Sequence, residues 1–230
     1  MLVEANRSLY KRSGTSKFNI ALNILIAVVA VALMIELIFV TTFTGIYVVD
    51  ISMMPTLNGA PDEHSAGGDY VYIVKSAKPD YGDIVVVTRE GDSPLIKRVI
   101  AFGGDSVKLV EGKLFIKYAG ESEFSEIEEN YVDPNRNDPV KPVNNYPTGS
   151  SRFPQIGGKF EDDAFIIDEG YVFLLGDNRD YSADSRQNGA FMRKNIYGVV
   201  TDWSMKNKKF ISSVHKFFSF DIPEFFGKKN

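Results

Sequence analysis

Three places in this 230-residue chain gather side chains that could do chemistry. The first is Ser52-Met53-Met54-Pro55-Thr56-Leu57. A serine hydroxyl is a weak nucleophile until a neighbouring base takes its proton. His64 would be the usual base, but it sits in the Gly/Pro/Asp-rich stretch GAPDEHSAGG without an orienting partner and reads as an exposed loop residue. A lysine can replace it when burial among apolar residues leaves the amine neutral near pH 7. Lys97, in Pro94-Leu95-Ile96-Lys97-Arg98-Val99-Ile100, meets that condition. On a strand its i±2 neighbours Leu95 and Val99 give it an apolar face, while Ile96 and Arg98 point the other way.

The third place is Gly176-Asp177-Asn178-Arg179-Asp180-Tyr181-Ser182-Ala183-Asp184-Ser185-Arg186. Its density of Asp and Asn suggests calcium, but the loop template fails. Counted from Asp180, Ser185 replaces the required Gly and Phe191 the bidentate Glu; counted from Asp177, Arg179 falls on a ligand position. The interleaved Arg179 and Arg186 point instead to an ion-paired loop that fixes a hydroxyl such as Ser182.

Residue type alone does not single out Ser52 and Lys97. Lysines on strands usually reach for solvent, and Ser8…Lys11 and Ser213…Lys216 are closer Ser-x-x-Lys pairs. Neither carries the S-D-N or K-T-G companions of the penicillin-interactive enzymes, and G-x-S-x-G is absent. So are the phosphate loops G-x-x-x-x-G-K-[ST] and G-x-G-x-x-G. The chain has no cysteine, which excludes disulfides, zinc ribbons, iron–sulfur clusters and a thiol nucleophile. Two histidines, His64 and His215, leave little room for a His-rich metal site. A net charge of −4 and a pI near 5.3 lack the basic footprint of a nucleic-acid binder. No cofactor, metal or nucleic acid is therefore expected.

The elements that must position these residues begin with an anchor. Phe18–Val40 is a mostly apolar run of 23 residues whose only charge is Glu36, enough to cross about 30 Å of hydrocarbon. Glu36 lies in the outer third, within reach of the interface. A cleaved signal peptide would have a shorter apolar core and a small-residue cleavage site. A buried core helix would show a polar face, which Ile20–Ile35 lacks. The preceding tail, residues 1–17, carries Arg7, Lys11, Arg12 and Lys17 against Glu4, which keeps it in the cytoplasm and sends everything after Val40 outside.

Beyond the anchor, short β-rich runs alternate with Gly, Pro and Asp. Gly45–Asp50, Asp69–Val74, Asp83–Arg89, Leu95–Phe102, Ser106–Val110, Lys113–Lys117, Gly170–Leu175 and Asn195–Trp203 are predicted strands. Gly103-Gly104-Asp105 and Glu111-Gly112-Lys113 are turns between adjacent strands. The predicted fold is mostly β: an antiparallel β-sandwich or partly closed barrel, with a single N-terminal transmembrane helix. Its core would comprise residues 41–118 and 170–205. Residues 119–169 are strongly acidic and carry five prolines, and are expected to form a solvated insertion or small subdomain whose charge does no chemistry. Residues 206–230 are basic and aromatic, with Phe210, Ile211, Val214, Phe217 and Phe218 at helical spacing. An interfacial helix and a helix packed on the β domain explain that pattern equally well.

Taken together, these pieces resemble the type I (leader) signal peptidases, membrane-anchored serine proteases that remove signal peptides from exported proteins. Four motifs carry the resemblance, in order after the anchor: S-M-M-P-T-L at Ser52–Leu57, G-D-I-V at Gly82–Val85, K-R-V-I-x-x-x-G-D at Lys97–Asp105 and G-D-N-R-D-x-S-x-D-S-R at Gly176–Arg186. They span roughly residues 45–110 and 170–203. The resemblance implies Ser52 as nucleophile and Lys97 as general base for acylation and deacylation. It implies Ser182 as the hydroxyl that orients the lysine, and the Ser52 backbone N–H as an oxyanion donor. Asp184 and Arg186 would hold the loop as an ion pair, with Asp177 and Arg98 in structural roles. Val48, Val49, Leu95 and Ile96 would flank the substrate and wall pockets for small side chains at the first and third positions before the cut.

One departure stands out. The family commonly has Gly or a small hydroxyl residue at the two positions before the nucleophile, where this chain has Asp50 and Ile51. An ionised Asp50 would repel a developing oxyanion, so it must point away or be paired, or the second oxyanion donor comes from elsewhere.

The resemblance implies a single-pass, monomeric enzyme of the bacterial cell (inner or plasma) membrane, its catalytic domain on the extracytoplasmic face. Its partners would be the lipid bilayer and the signal peptides of preproteins emerging from the translocation machinery. Two rivals remain open: a maturation protease of the same fold dedicated to one pilin-like or surface substrate, and a non-catalytic membrane-tethered β scaffold.

Overall fold

A computed structural model describes residues 17–61, 67–88, 93–138, 156–161 and 163–218. It divides at Thr42 into an N-terminal unit and a β-rich unit. In the first, α1 (Lys17–Thr42) is a single 26-residue helix with no buried residue. It matches the expected anchor to within two residues at each end. Its apolar surface faces outward all round, which a core helix would not tolerate.

The second unit contains two antiparallel sheets. Seven strands pair in the order β1-β2-β12-β3-β4-β10-β11: β1 (Phe43–Tyr47), β2 (Tyr70–Val74), β12 (Ile196–Val200), β3 (Ile84–Val87), β4 (Leu95–Phe102), β10 (Tyr171–Leu175) and β11 (Phe191–Met192). Five more pair as β7-β6-β5-β9-β8: β7 (Ser125–Ile127), β6 (Lys113–Lys117), β5 (Ser106–Val110), β9 (Ala164–Ile167) and β8 (Gly158–Glu161). The fold is mostly β and antiparallel, as predicted.

β3 explains why the first sheet holds together. All four of its residues are buried, Ile84 and Val86 in one apolar cluster and Val85 and Val87 in another. A strand with both faces covered reads as a continuous β-branched run. The cluster of Val48, Met53, Leu57, Val71, Ile73 and Ile96 lies under the turn that carries Ser52. A third cluster joins the sheets, Ile100 and Ala101 of β4 and Phe173 and Leu175 of β10 packing on Val107, Leu109, Leu114, Ile116, Phe165 and Ile167.

Both predicted turns form. Gly104 (φ +92°) links β4 to β5, and Glu111 and Gly112 (φ +50° and +77°) link β5 to β6. Two expectations are corrected. The first predicted strand lies earlier, at β1, because Val48 turns inward and Asp50 takes φ +76°. After the short helix α2 (Ser185–Asn188), Trp203 belongs to helix α3 (Asp202–Lys206) and not to a strand; Thr201 begins α3, its carbonyl accepting from the Met205 N–H. In the acidic region, expected as a solvated insertion or small subdomain, the described residues include β7, β8 and β9, which complete the second sheet. Alternation is weak in these strands of three or four residues, so their charge masked them.

The C-terminal region forms α4 (Lys208–Phe218) against β2. His215 stacks on Tyr70 at 3.9 Å, and the Tyr70 N–H donates to Ser212 Oγ. Packing on the β domain is therefore one half of the expected alternatives.

Candidate active site

Ser52 lies in a tight turn just after the isolated bridge between Val49 and Ala60. Three contacts fix that turn. The Asn178 N–H donates to the Ser52 carbonyl at 3.0 Å, Asn178 Nδ2 donates to the Ile51 carbonyl at 3.0 Å, and Leu57 N–H bonds Met53 O. Gly59 allows the close crossing: a Cβ there would fall 1.6 Å from the Asp50 carbonyl oxygen.

Lys97 comes from the middle of β4, opposite Val85 of β3. Its Nζ lies 2.8 Å from Ser52 Oγ and donates to the Ile96 carbonyl at 2.8 Å. Both residues are 2% exposed. Burial is the largest influence on the amine and drives its pKa below the usual lysine value. The charges of Asp184, Asp50 and Asp177 oppose that shift, and Arg186 adds to it. No carboxylate oxygen bonds the amine among the described residues, so a neutral Lys97 can accept the Ser52 proton.

The 177–186 loop is ion-paired, as expected, and each aspartate has its own anchor. Asp184 takes Arg186 in a two-point contact, Nε and the second terminal nitrogen both at 2.8 Å, and accepts the Gly176 N–H at 3.0 Å. Burial alone would raise this carboxyl; the Arg186 guanidinium and the Gly176 N–H outweigh it and hold it below the usual carboxylate range. Asp177 pairs with Arg98 of β4 at 2.9 and 2.6 Å and accepts the Thr56 hydroxyl. Asp177, Asp180 and Asp184 do not converge into a metal-binding group among the described residues.

Ser182 is brought to the site but does not bond Lys97. Its hydroxyl is buried, faces the Asp184 carboxylate outside hydrogen-bond geometry, and has no partner among the described residues. It sits over Gly176, where a Cβ would lie 2.1 Å from Ser182 Oγ and 2.5 Å from the Ser52 carbonyl oxygen. Gly176 therefore lets the loop approach the nucleophile.

Of the four substrate-flanking candidates, Val48 and Ile96 are buried in the cluster beneath the turn. Val49 and Leu95 keep partial access. Asp50 is paired: its carboxylate accepts the Ile51 N–H at 2.6 Å. The Ser52 N–H bonds no acceptor among the described residues, which leaves it available to an oxyanion. His64 and the Ser8…Lys11 pair lie outside the described residues.

Sequence reasoning missed four participants. Asn178 carries two of the three bonds that hold the nucleophile turn. Glu129 binds the fully buried Arg179, and Tyr131 stacks its ring 3.9 Å from the Arg98 guanidinium. Both come from the acidic region. Nothing in their local pattern sets them apart from its solvated acids. Lys208 at the start of α4 donates to the Thr56 carbonyl and to Asp69, at 2.8 Å for the latter.

A family model described as signal peptidase, peptidase S26, matches residues 19–203. The chain belongs to that family. A signal peptidase I of Rickettsia bellii is 29% identical over 187 residues, covering 70% of this chain and 64% of its own length. One from Streptococcus pneumoniae is 30% identical over 160 residues, covering 64% of this chain and 74% of its own. The chain thus spans a little under two thirds of the Rickettsia relative. A crystal structure of a signal peptidase I from Enterococcus faecalis superposes with a TM-score of 0.37 at 24% identity, covering 54% of this chain and 98% of that one. Within the peptidase S26 family, this chain is a membrane-anchored member, with one apolar helix of spanning length among the described residues.

Proposed function

We propose that the protein is a signal peptidase I: a serine endopeptidase that cuts N-terminal signal peptides from exported preproteins after small residues. The observation that carries this reading is the 2.8 Å contact between Ser52 Oγ and Lys97 Nζ in a buried pocket. That distance is within proton-transfer reach.

In this reading Ser52 Oγ attacks the scissile carbonyl as its proton passes to the neutral Lys97 amine. The tetrahedral oxyanion is met by the Ser52 N–H, a kind of donor typically worth about 2.7–4 kcal/mol. The Lys97 ammonium then gives its proton to the leaving amine, leaving Ser52 acylated. A water molecule loses a proton to Lys97 and attacks the ester; as the acyl–oxygen bond breaks, the Lys97 ammonium returns that proton to Ser52 Oγ, which releases the product and restores both groups. Ser182 would turn to the ammonium as that charge develops, and the Asp184–Arg186 pair would hold its loop. Val49 and Leu95 would border the bound segment, with Val48 and Ile96 forming the apolar floor beneath. The enzyme would act in the bacterial cell membrane with residues 1–17 in the cytoplasm and the β unit outside, on substrates delivered by the translocation machinery.

The test is cleavage of several unrelated preproteins by the full-length protein in detergent micelles or vesicles. Ser52→Ala and Lys97→Ala should each abolish cleavage while the protein stays folded and membrane-bound. Substantial cleavage by either variant removes the dyad, and cleavage of one preprotein alone would indicate a dedicated maturation protease.

A further inference from the structure

The helical stretch after β12 has two faces, and only one of them is spent on the β domain. Lys208, Ser212 and His215 of α4 face β2 and the nucleophile turn. On the opposite side Phe210, Val214 and Phe217 form a stripe at i, i+4 and i+7, exposed by 72%, 37% and 72%. At 100° per residue this stripe points away from the packed face, so burial in the domain does not account for it. Exposed Lys209 and Lys216 run along one flank, and exposed Lys206 precedes them. The family match ends at Trp203, so α4 lies beyond it.

What could cover the stripe follows from the chain itself. Trp203 stacks on Tyr72 at 5.3 Å and meets Phe43 edge-on at 5.7 Å. Phe43 is the residue directly after the 26-residue apolar helix. If that helix crosses a bilayer, connectivity holds Phe43 at the boundary between hydrocarbon and water. Trp203 touches Phe43, and α4 starts five residues later. Indole and phenyl rings beside lysines suit an anionic headgroup layer.

We infer that the outward face of α4, built from Phe210, Val214 and Phe217 with Lys209 and Lys216 beside them, docks on the surface of an anionic lipid bilayer. Lys208 ties the same helix to the Thr56 carbonyl, so docking would hold the turn carrying Ser52 at that surface. The inference goes beyond the catalytic reading and does not depend on it.

The chain has no cysteine, so Ser213→Cys gives a single site for a nitroxide beside the stripe. A second label at Glu126→Cys, in the other sheet, serves as the aqueous control. The full-length protein is reconstituted in phosphatidylcholine/phosphatidylglycerol vesicles, and collisions with oxygen and with a water-soluble nickel chelate are compared. Docking should favour oxygen over nickel at position 213 by at least about threefold relative to position 126. Adding Phe210→Asp and Phe217→Asp, both on the exposed face, should abolish that excess while far-UV dichroism is unchanged. A label at 213 as open to nickel as the control overturns the inference. So does one shielded from both reagents, which would report a protein cover, or one indifferent to the two aspartates.

Discussion

Arg186 and Lys97 are buried to the same depth around one loop, yet they are held in opposite ways. Arg186 meets Asp184 at two points, Arg179 meets Glu129, and Arg98 meets Asp177. Lys97 meets a hydroxyl and a carbonyl. A guanidinium keeps its proton under any such burial, so the fold must supply a counter-charge or lose stability. An amine given no carboxylate partner yields its proton instead. The difference shows how one small region holds both permanent charges that fix a loop and one removable proton that can do work.

The sharpest way to break this contrast is Lys97→Arg, which keeps a long basic side chain but cannot deprotonate. Cleavage should fall by at least about 10³-fold, as for loss of a general base. Retention of a tenth of the activity in a preprotein assay would show that a neutral amine is not required.

Removing a counter-charge should do most to stability. Asp184→Ala leaves Arg186 buried and unpaired, and urea unfolding should show a loss of about 3–5 kcal/mol. Glu129→Gln retains an acceptor for Arg179 and should cost less, about 1–3 kcal/mol. If the Glu129 variant unfolds like the parent, the acidic region is not part of the site's support.

The two kinds of group also answer pH differently. Cleavage needs the neutral amine, so the rate should rise with pH to a midpoint below the free lysine value of about 10.4. The lowered folded pKa means the unfolded chain binds the extra proton, so stability contributed at Lys97 should rise between its folded pKa and that value, and fall as pH drops through the folded pKa. Asp184, also lowered, supplies stability that is complete above the ordinary carboxylate pKa and is lost as pH falls through its own folded value. Comparing unfolding curves of the parent, Lys97→Met and Asp184→Ala across pH would separate the two slopes.

The smallest effect is expected from Lys97→Met at neutral pH. A thioether of similar length removes the cost of burying an amine while leaving the Ser52 hydroxyl short of one partner. The melting temperature should stay within a few degrees of the parent, a shift equivalent to about 1 kcal/mol. A large drop would mean that the lysine supports the fold as a charge.

Much of this was visible beforehand in the order of residues. The anchor, β4 and the turns at Gly104 and Gly112 follow from local rules: a long apolar run, a β-branched strand and positive φ at glycine or its neighbour. Ser52, Lys97 and the Asp184–Arg186 pair were found through the motifs they sit in. Trp203 was misplaced because a β-rich run led directly into a helix start at Thr201. Glu129, Tyr131 and Lys208 escaped because their partners are 50, 33 and 152 residues away in the chain, with nothing local to mark them.

The sequence alone determined which groups were on offer and which of the longer apolar segments were strands, since periodicity, turn chemistry and residue type act over a few neighbours. Only the tertiary structure decided that Lys97 lies beside Ser52 rather than in solvent, that Asp50 is tied to its own neighbour's N–H, and that acids in a proline-rich stretch neutralise a buried arginine. Those outcomes depend on distance and exclusion of water across the fold, and neither is written in the spacing of residues along the chain.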